Sequence, residues 1–209
     1  MTAPALDLRV VVLPGSVAAA WCGALLAGVG ADVVQVEPPG GDPMRADAAL
    51  FAAVHGGMSS RVVDPYDVGA LDAVVAAADL VVVGADEPYA AARAVDRWTA
   101  ADPALVVTWV SPFGRSGPLA GWASSDLVLL AMSLWLQATG RPERSPLALG
   151  GRFAELVPGL CAASASLMAL RAGAITGAGQ VVDVSQQEAL LLGQPYFELG
   201  VAYTGVERS

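Results

Sequence analysis

The sequence predicts an α/β fold, in which a Rossmann-like parallel sheet is flanked by helices and followed by long apolar helices. Short runs rich in valine and leucine alternate with alanine-rich stretches of helical length. The runs are apolar at nearly every position, which is typical of strands that helices cover on both faces. Alternating strands and helices favour parallel pairing through right-handed crossovers. Because 209 residues suffice for one domain and no linker divides them, we expect residues 1–209 to form a single domain.

The first half of the chain contains short β-branched or leucine-rich runs that predict strands. They lie at Arg9–Leu13, Asp32–Glu37, Arg61–Asp64, Leu80–Val83 and Leu105–Val110. Alanine-rich stretches between them predict helices over Val17–Gly28, Val68–Ala78 and Pro88–Thr99. Proline and glycine mark turns between these elements, for example after the first and second strands.

The pattern changes after residue 110. A loop rich in glycine, proline and serine occupies Ser111–Trp122, and loops of that length within a compact domain are often functional. Apolar helices are then predicted over Ser125–Ala138 and Leu156–Ala172, followed by a strand at Gln180–Ser185 and a helix over Gln186–Leu199.

The composition excludes several classes of function. The chain has 11 Lys+Arg against 20 Asp+Glu, and this net charge of −9 argues against nucleic acid as a partner. Every cation is an arginine, so Schiff-base chemistry on a lysine is excluded. His55 is the only histidine, which removes multi-histidine metal sites. We predict no metal and no permanently bound cofactor.

The cysteines and the apolar stretches predict a cytoplasmic protein that does not bind membranes. Cys22 and Cys161 fit neither a metal knuckle nor a disulfide framework, and we expect reduced thiols. The N-terminal segment lacks a basic region followed by an apolar run, which argues against a signal peptide. The apolar stretch Leu156–Leu170 is interrupted by Pro158 and Gly159 and is too short for a membrane span.

The glycine pattern does not predict a dinucleotide site. Gly28-Val29-Gly30 precedes a predicted strand, whereas the dinucleotide-binding fingerprint follows a strand and opens a helix. The turn after the first strand, Pro14-Gly15-Ser16, contains a single glycine. We therefore do not expect a Rossmann-type oxidoreductase.

Four segments carry motifs in a characteristic order. Residues 25–45 are LLAGVGADVVQVEPPGGDPMR, and residues 111–118 are SPFGRSGP. Residues 126–140 are DLVLLAMSLWLQATG, and residues 169–185 are ALRAGAITGAGQVVDVS. Together they resemble the signatures VE-P-GGD-x-x-R, S-x-FG-x-x-GP, D-x-x-x-x-A-x-S-G and TG-x-GQ-x-VDVS of the class III coenzyme A transferase family. The resemblance extends over essentially the whole chain.

The resemblance implies the large domain of the class III CoA-transferase fold. Members of the family are usually longer, because a second, smaller domain follows the helix that here ends near Tyr203. The family folds as two interlocked chains. We therefore expect a homodimer, or a heteromer with a chain that supplies the second domain. A fragment, a natural short form and one subunit of a split enzyme all fit this pattern.

The resemblance also implies CoA transfer, with an acyl-CoA and a carboxylic acid acceptor as substrates. An enzyme carboxylate attacks the thioester, giving a mixed anhydride and a CoA thiolate, and the acceptor then exchanges through an enzyme-bound CoA thioester. The family places an aspartate four residues before a glycine at the start of a long helix. Here that position is Glu155, four residues before Gly159, and Glu155 is the predicted nucleophile. The alternative is that Glu155 only offers negative charge to the N-terminus of the helix.

The phosphates of CoA require cations or helix N-termini in the pocket. Arg45 and Arg93 match arginines of the family pattern and are the predicted phosphate contacts, with a solvated surface cation as the alternative for each. Ser16 and Val17 match positions that line the CoA cleft in relatives. A plain N-cap role fits Ser16 equally well.

Departures from the family pattern favour a second interpretation. A basic run of the relatives has lost its charge here at Gly56–Ser59, while Asp86 and Glu87 add acidic groups near the expected CoA site. Racemisation is not expected, because Ser125 stands where the racemase branch has its histidine. The alternative function is a catalytically degenerate subunit that binds a partner chain, or CoA, without turnover.

Overall fold

The computed structural model describes residues 6–13, 15–64, 66–84, 91–141, 143–194, 200 and 202–205, with the backbone alone at 91–93. Its strands are β1 (Arg9–Leu13), β2 (Asp32–Glu37), β3 (Ser59–Val62), β4 (Leu80–Gly84), β5 (Val106–Ser111) and β6 (Val181–Ser185). Its helices are α1 (Val17–Gly28), α2 (Ala48–Val54), α3 (Val68–Val75), α4 (Ala91–Ala101), α5 (Asp126–Met132), α6 (Trp135–Ala138), α7 (Phe153–Thr176) and α8 (Gln186–Leu192). A 3₁₀ turn, Pro43–Ala46, precedes α2.

The strands form one sheet in the order β3-β2-β1-β4-β5-β6, and each neighbouring pair is parallel. The chain first builds the sheet outward from β1 to β3 and then continues on the other side of β1 with β4. In sheets of this kind, ligands bind outside the carboxyl ends of the strands. The predicted α/β fold with a Rossmann-like parallel sheet is confirmed.

Alternate residues of the strands contribute to two separate cores. One core packs α3 and α4 against strand residues that include Val11, Val81 and Val107. The other packs α1 and α7 against residues that include Val10 and Val82. The strands are therefore buried on both faces, which explains why their sequences are apolar at nearly every position.

The observed bounds of β1, α1 and β2 are those predicted. The third strand lies two residues earlier than predicted, at Ser59–Val62 instead of Arg61–Asp64. It is an exposed edge strand held by main-chain pairing to β2, so a run of apolar side chains does not mark its bounds. The short helix α2 is not predicted; its N-cap Asp47 accepts a hydrogen bond from Leu50 N at 3.0 Å.

Some predictions fall outside the described residues. They are Asp86, Glu87 and the start of the predicted helix Pro88–Thr99. The predicted helix Gln186–Leu199 is too long, because α8 ends at Leu192. Within the described part, the corresponding helices are α4 and α8.

The predicted helix Ser125–Ala138 is in fact two helices, α5 and α6. Ser133 Oγ donates a hydrogen bond to Leu129 O at 2.6 Å, and Leu134 has a φ of 65°. A residue in the left-handed region ends a helix, so the chain changes direction between α5 and α6. The single predicted helix is therefore wrong because the backbone of Leu134 is not helical, although the apolar pattern continues through it.

Helix α7 begins three residues before the predicted start at Leu156, contains Pro158 and ends at Thr176. It crosses α1 closely, because a Cβ added at Gly159 would lie 2.7 Å from Ala18 O. By length and composition α7 is apolar enough to cross a membrane. Its buried face, however, packs against α1 and β5, which is the position of a core helix.

Candidate active site

A cleft of about 190 Å³ opens beside the residues that follow β1, β5 and β6. The first turns of α1, α5, α7 and α8 line most of it. The lining residues are Gly15, Ser16, Val17, Met44, Pro112, Ser124, Ser125, Asp126, Leu129, Glu155 and Gln186. The first N–H groups of a helix have no partner within the helix and make that end electropositive. The cleft is therefore suited to an oxygen atom that carries or gains negative charge.

Serine residues begin three of the helices at the cleft. Ser16, Ser125 and Ser185 are the N-caps of α1, α5 and α8, and each hydroxyl oxygen accepts a hydrogen bond from a main-chain N–H three residues further along. For Ser16, the Oγ–Ala19 N distance is 3.2 Å. Ser16 thus has the N-cap role and also lines the cleft.

Glu155 lies in the first turn of α7, with its side chain at the cleft and 22% exposed. Its Oε2 accepts a hydrogen bond from Arg152 Nη1 at 2.9 Å. Its other oxygen, Oε1, has no hydrogen-bond partner within the described part of the chain. One oxygen is therefore held in place while the other is available to the cleft. This geometry fits the nucleophile interpretation as well as the helix-charge interpretation.

Two further polar side chains of the cleft are missed by the sequence analysis. Asp126 begins α5, and its Oδ1 is buried without a hydrogen-bond partner among the described residues. Gln186 begins α8, directly after β6, and only 4% of it is exposed. Asp126 was detectable from sequence, since it opens the third motif segment, whereas Gln186 only follows the fourth and has no distinctive chemistry in the sequence. Polar residues at such strand-to-helix or loop-to-helix junctions lie where sheets of this class bind ligands.

The cleft brings together three of the predicted site residues, Glu155, Ser16 and Val17. Arg45 does not line it, although the preceding residue, Met44, does. Arg93 belongs to α4, on the opposite face of the sheet from α1 and α7, and its side chain lies outside the described part. The CoA-phosphate contacts of both arginines stay predictions.

Arg45 takes part in a polar network next to the Gly-Gly-Asp turn. Its Nε and Nη2 donate hydrogen bonds to the two carboxylate oxygens of Glu37, at 2.7 and 2.6 Å. Asp42 N and the Ser60 hydroxyl also donate to Glu37. The Arg45 hydrogen bonds lower the pKa of Glu37 to about 2, against the opposing effect of burial. The guanidinium lies 4.2 Å from the ring centre of Phe51 and the Arg45 side chain is 49% exposed, so a phosphate can still approach it.

Replacing Arg45 with methionine is expected to destabilise the protein in a pH-dependent way. Folding lowers the pKa of Glu37 from 4.5 to about 2, so the ionised group stabilises the folded state at pH values above 4.5. This stabilisation is lost as the pH falls from 4.5 through about 2. The melting temperature of Arg45→Met should therefore lie below that of the wild type at pH 7, and the difference should vanish near pH 2.

The matched control for Arg45→Met is Arg141→Met, which removes an exposed arginine that forms no ion pair with any described residue. It should follow the wild-type melting temperature at every pH. A deficit of Arg45→Met that stays constant across the pH range would contradict the assigned role of Glu37.

The loop after β5 is held against β6. Asp183 Oδ2 accepts a hydrogen bond from Arg115 N at 2.9 Å. The residue before Arg115, Gly114, has a φ of 86°, a conformation that favours glycine. The Pro112 carbonyl accepts a hydrogen bond from Gln187 N at 3.1 Å. The second and fourth motif segments therefore contact each other, and this contact positions Pro112 and the start of α8 at the cleft.

Comparison with known families identifies the chain. A family model described as CoA-transferase family III matches residues 6–207. The chain belongs to CoA-transferase family III. This confirms the resemblance carried by the four motif segments.

Curated members of CoA-transferase family III are similar to this chain over most of its length. It is 28% identical to succinate–glutarate CoA-transferase of Agrobacterium fabrum, over 97% of this chain and 59% of that protein. It is 35% identical to subunit BbsE of succinyl-CoA:(R)-benzylsuccinate CoA-transferase from Thauera aromatica, over 79% of this chain and 44% of that protein. The chain therefore spans roughly half the length of these family members.

Solved structures show the same fold. A CaiB/BaiF family protein from Brucella suis superposes with a TM-score of 0.91 at 27% identity, covering 99% of this chain and 59% of that one. The protein Rv3272 from Mycobacterium tuberculosis superposes with a TM-score of 0.84 at 24% identity, covering 98% of this chain and 61% of that one. The family III fold thus accounts for the whole described sheet.

Proposed function

We propose that this chain transfers CoA from an acyl-CoA to a carboxylic acid, with Glu155 as the nucleophile. The observation that supports this most directly is the common cleft of Glu155, Ser16 and Val17. The resemblance to the family assigns the nucleophile to the first of these positions and the CoA cleft to the other two. The carboxylate oxygen without a partner, Oε1, is the attacking atom in this proposal.

The proposed reaction begins when Oε1 of Glu155 forms a bond to the thioester carbon, and the carbonyl electrons move to the oxygen. Collapse of this intermediate breaks the C–S bond, releases the CoA thiolate and leaves a mixed anhydride. The thiolate then attacks the Glu155 carbonyl carbon, releases the donor acid and forms an enzyme–CoA thioester. The acceptor carboxylate attacks the Glu155 carbonyl carbon of that thioester, which expels the CoA thiolate and forms a second mixed anhydride. The thiolate then attacks the acceptor acyl carbon, which gives the product acyl-CoA and releases the Glu155 carboxylate.

Charge stabilisation in this proposal comes from the ends of helices. Every step places negative charge on a carbonyl oxygen or on the CoA sulfur. The N-termini of α1 and α7 both meet the cleft, and unpaired N–H groups at these ends stabilise such charge most where water is excluded. Arg152, which already binds Oε2 of Glu155, holds the nucleophile at the start of α7.

The proposed substrates are an acyl-CoA and a free carboxylic acid, and CoA enters as a substrate and not as a resident cofactor. The names of the relatives point to short acids such as succinate and glutarate as the first to test. We further propose that residues 1–209 form a single large domain and that the chain is cytoplasmic. We also propose that it forms a homodimer, or a heteromer with a chain that supplies the family's second domain.

A transfer assay tests the proposed function. Purified chain is mixed with succinyl-CoA and glutarate, and the thioesters are separated and weighed by mass spectrometry. Glutaryl-CoA and free succinate should appear in equal amounts, and glutaryl-CoA should be absent when glutarate is omitted. Release of free CoA without glutaryl-CoA would indicate hydrolysis and would contradict CoA transfer.

A second candidate function is a non-catalytic subunit that binds a partner chain. The observation that favours it is an exposed apolar face on α7, formed by Leu160, Leu167, Met168 and Ile175. Exposed apolar side chains grouped along one helix are typical of interaction sites. Native mass spectrometry that shows a heteromer, together with calorimetry that shows no CoA binding, would favour the subunit over the enzyme.

A further inference from the structure

Gln186 is a polar side chain on the wall of the cleft. It is the first residue of α8, it lines the cleft that also contains Glu155, and it is 4% exposed. Its amide forms no hydrogen bond with the described residues, and because it is not among their fully buried unpaired groups, it is open to the cleft. The neighbouring Gln187 differs, since its Nε2 donates to Met132 O at 3.2 Å.

A primary amide offers two N–H donors and one carbonyl acceptor. An unpaired amide on the wall of a cleft is therefore available to a bound group. Asp126 shares this cleft and also has a buried oxygen without a described partner. For an oxygen that gains negative charge, an amide has N–H donors that the carboxyl group of Asp126 does not have.

We propose that Gln186 Nε2 donates a hydrogen bond to the carbonyl oxygen of the thioester that Glu155 attacks. This inference rests on the proposed function of the cleft. When Oε1 of Glu155 bonds to the carbonyl carbon, the carbonyl π electrons move to this oxygen, and they return when the C–S bond breaks. A donor positioned at that oxygen interacts more strongly with the oxyanion than with the ground-state carbonyl, and so accelerates the step.

The same donor serves the last step, in which the CoA thiolate attacks the acceptor acyl carbon of the second mixed anhydride and an oxyanion again forms on a substrate carbonyl. An effect of Gln186 on both the acylation by donor acyl-CoA and the transfer to the acceptor acid is therefore expected. Its position at the junction of β6 and α8, directly after the fourth motif segment, holds the amide on a rigid element.

The test compares Gln186→Met with Gln187→Met, two identical substitutions on adjacent residues. Succinyl-CoA is the probe, neutral hydroxylamine traps the acyl enzyme, and intact-protein mass spectrometry follows the adduct at several succinyl-CoA concentrations. For Gln186→Met, the adduct rate at saturation should fall about 10²–10³-fold while the concentration for half-saturation stays close to wild type. The adduct rate of Gln187→Met should equal that of the wild type.

Melting temperature provides the second readout. Since the Gln186 amide has no described partner to lose, Gln186→Met and Gln186→Leu should melt at or above the wild-type temperature. A lowered melting temperature with a lost rate would show a structural role and overturn the proposal, as would an unchanged rate. If the substitution raises only the succinyl-CoA concentration needed for half-saturation, Gln186 contributes to CoA binding. That result would also overturn the proposal. A wild-type chain that forms no adduct would instead refute the proposed function, and the role of Gln186 with it.

Discussion

Glu155→Gln is expected to abolish the covalent adduct with acyl-CoA. The amide has nearly the same shape as the carboxylate but cannot attack a thioester, and loss of a nucleophile can cost a factor on the order of 10⁶ in rate. Folding should be little affected, since the Arg152–Glu155 pair lies partly at the surface and such pairs contribute about 0–1 kcal/mol. Intact-protein mass spectrometry after incubation with succinyl-CoA and hydroxylamine measures the result.

The matched control is Glu143→Gln, which makes the same substitution at an exposed loop position outside the cleft. It should form the adduct at the wild-type rate. If Glu155→Gln still forms an adduct, the nucleophile lies elsewhere. Asp126 is then the residue to examine, because it is the other carboxylate that lines the cleft.

Gly159→Ala is expected to lower both the stability and the rate of adduct formation. The added Cβ would lie 2.7 Å from Ala18 O and 3.0 Å from Trp21 Cδ1, so α1 and α7 must move apart. Overpacking of this kind costs about 1–3 kcal/mol. Glu155 lies one helical turn before Gly159, and a displacement of about 1 Å at a reacting group can cost about 10²-fold in rate. Urea unfolding and the adduct assay measure the two effects.

Gly28→Ala is the control for this substitution. Gly28 ends α1 and has open space around its Cα, so an alanine there meets no neighbour. Replacing a glycine that already has an ordinary helical conformation should raise the free energy of unfolding by about 0.4–1 kcal/mol. Equal stabilities for Gly28→Ala and Gly159→Ala would contradict the close crossing of α1 and α7.

The parts of the fold with strong apolar patterns are predictable from sequence. β1, α1 and β2 occur with the predicted bounds, because their valine and alanine runs are buried and a turn follows each of them. β3 is predicted two residues late, since an exposed edge strand is defined by main-chain pairing to β2 and not by buried side chains. The break at Leu134 is not predictable, because a single positive φ leaves no trace in an apolar helical pattern.

The candidate site is predictable only in part. The resemblance to the family selects Ser16, Val17 and Glu155, and the fold brings the first two into one cleft with the distant Glu155. It does not select Gln186, because a glutamine after a strand has no distinctive chemistry until burial and lack of a partner are known. Nor does it show that Arg45 pairs with Glu37, which depends on the turn that precedes α2.

The position of the adduct within the chain tests the central claim most directly. The chain has no lysine, so trypsin cuts only after arginine and releases Phe153–Arg171, in which Glu155 is the only acidic side chain. Asp126 falls in a different peptide, Ser116–Arg144. After incubation with succinyl-CoA and hydroxylamine, the hydroxamate should occur on Phe153–Arg171 at Glu155. A hydroxamate on Ser116–Arg144, or on no peptide at all, would contradict Glu155 as the nucleophile.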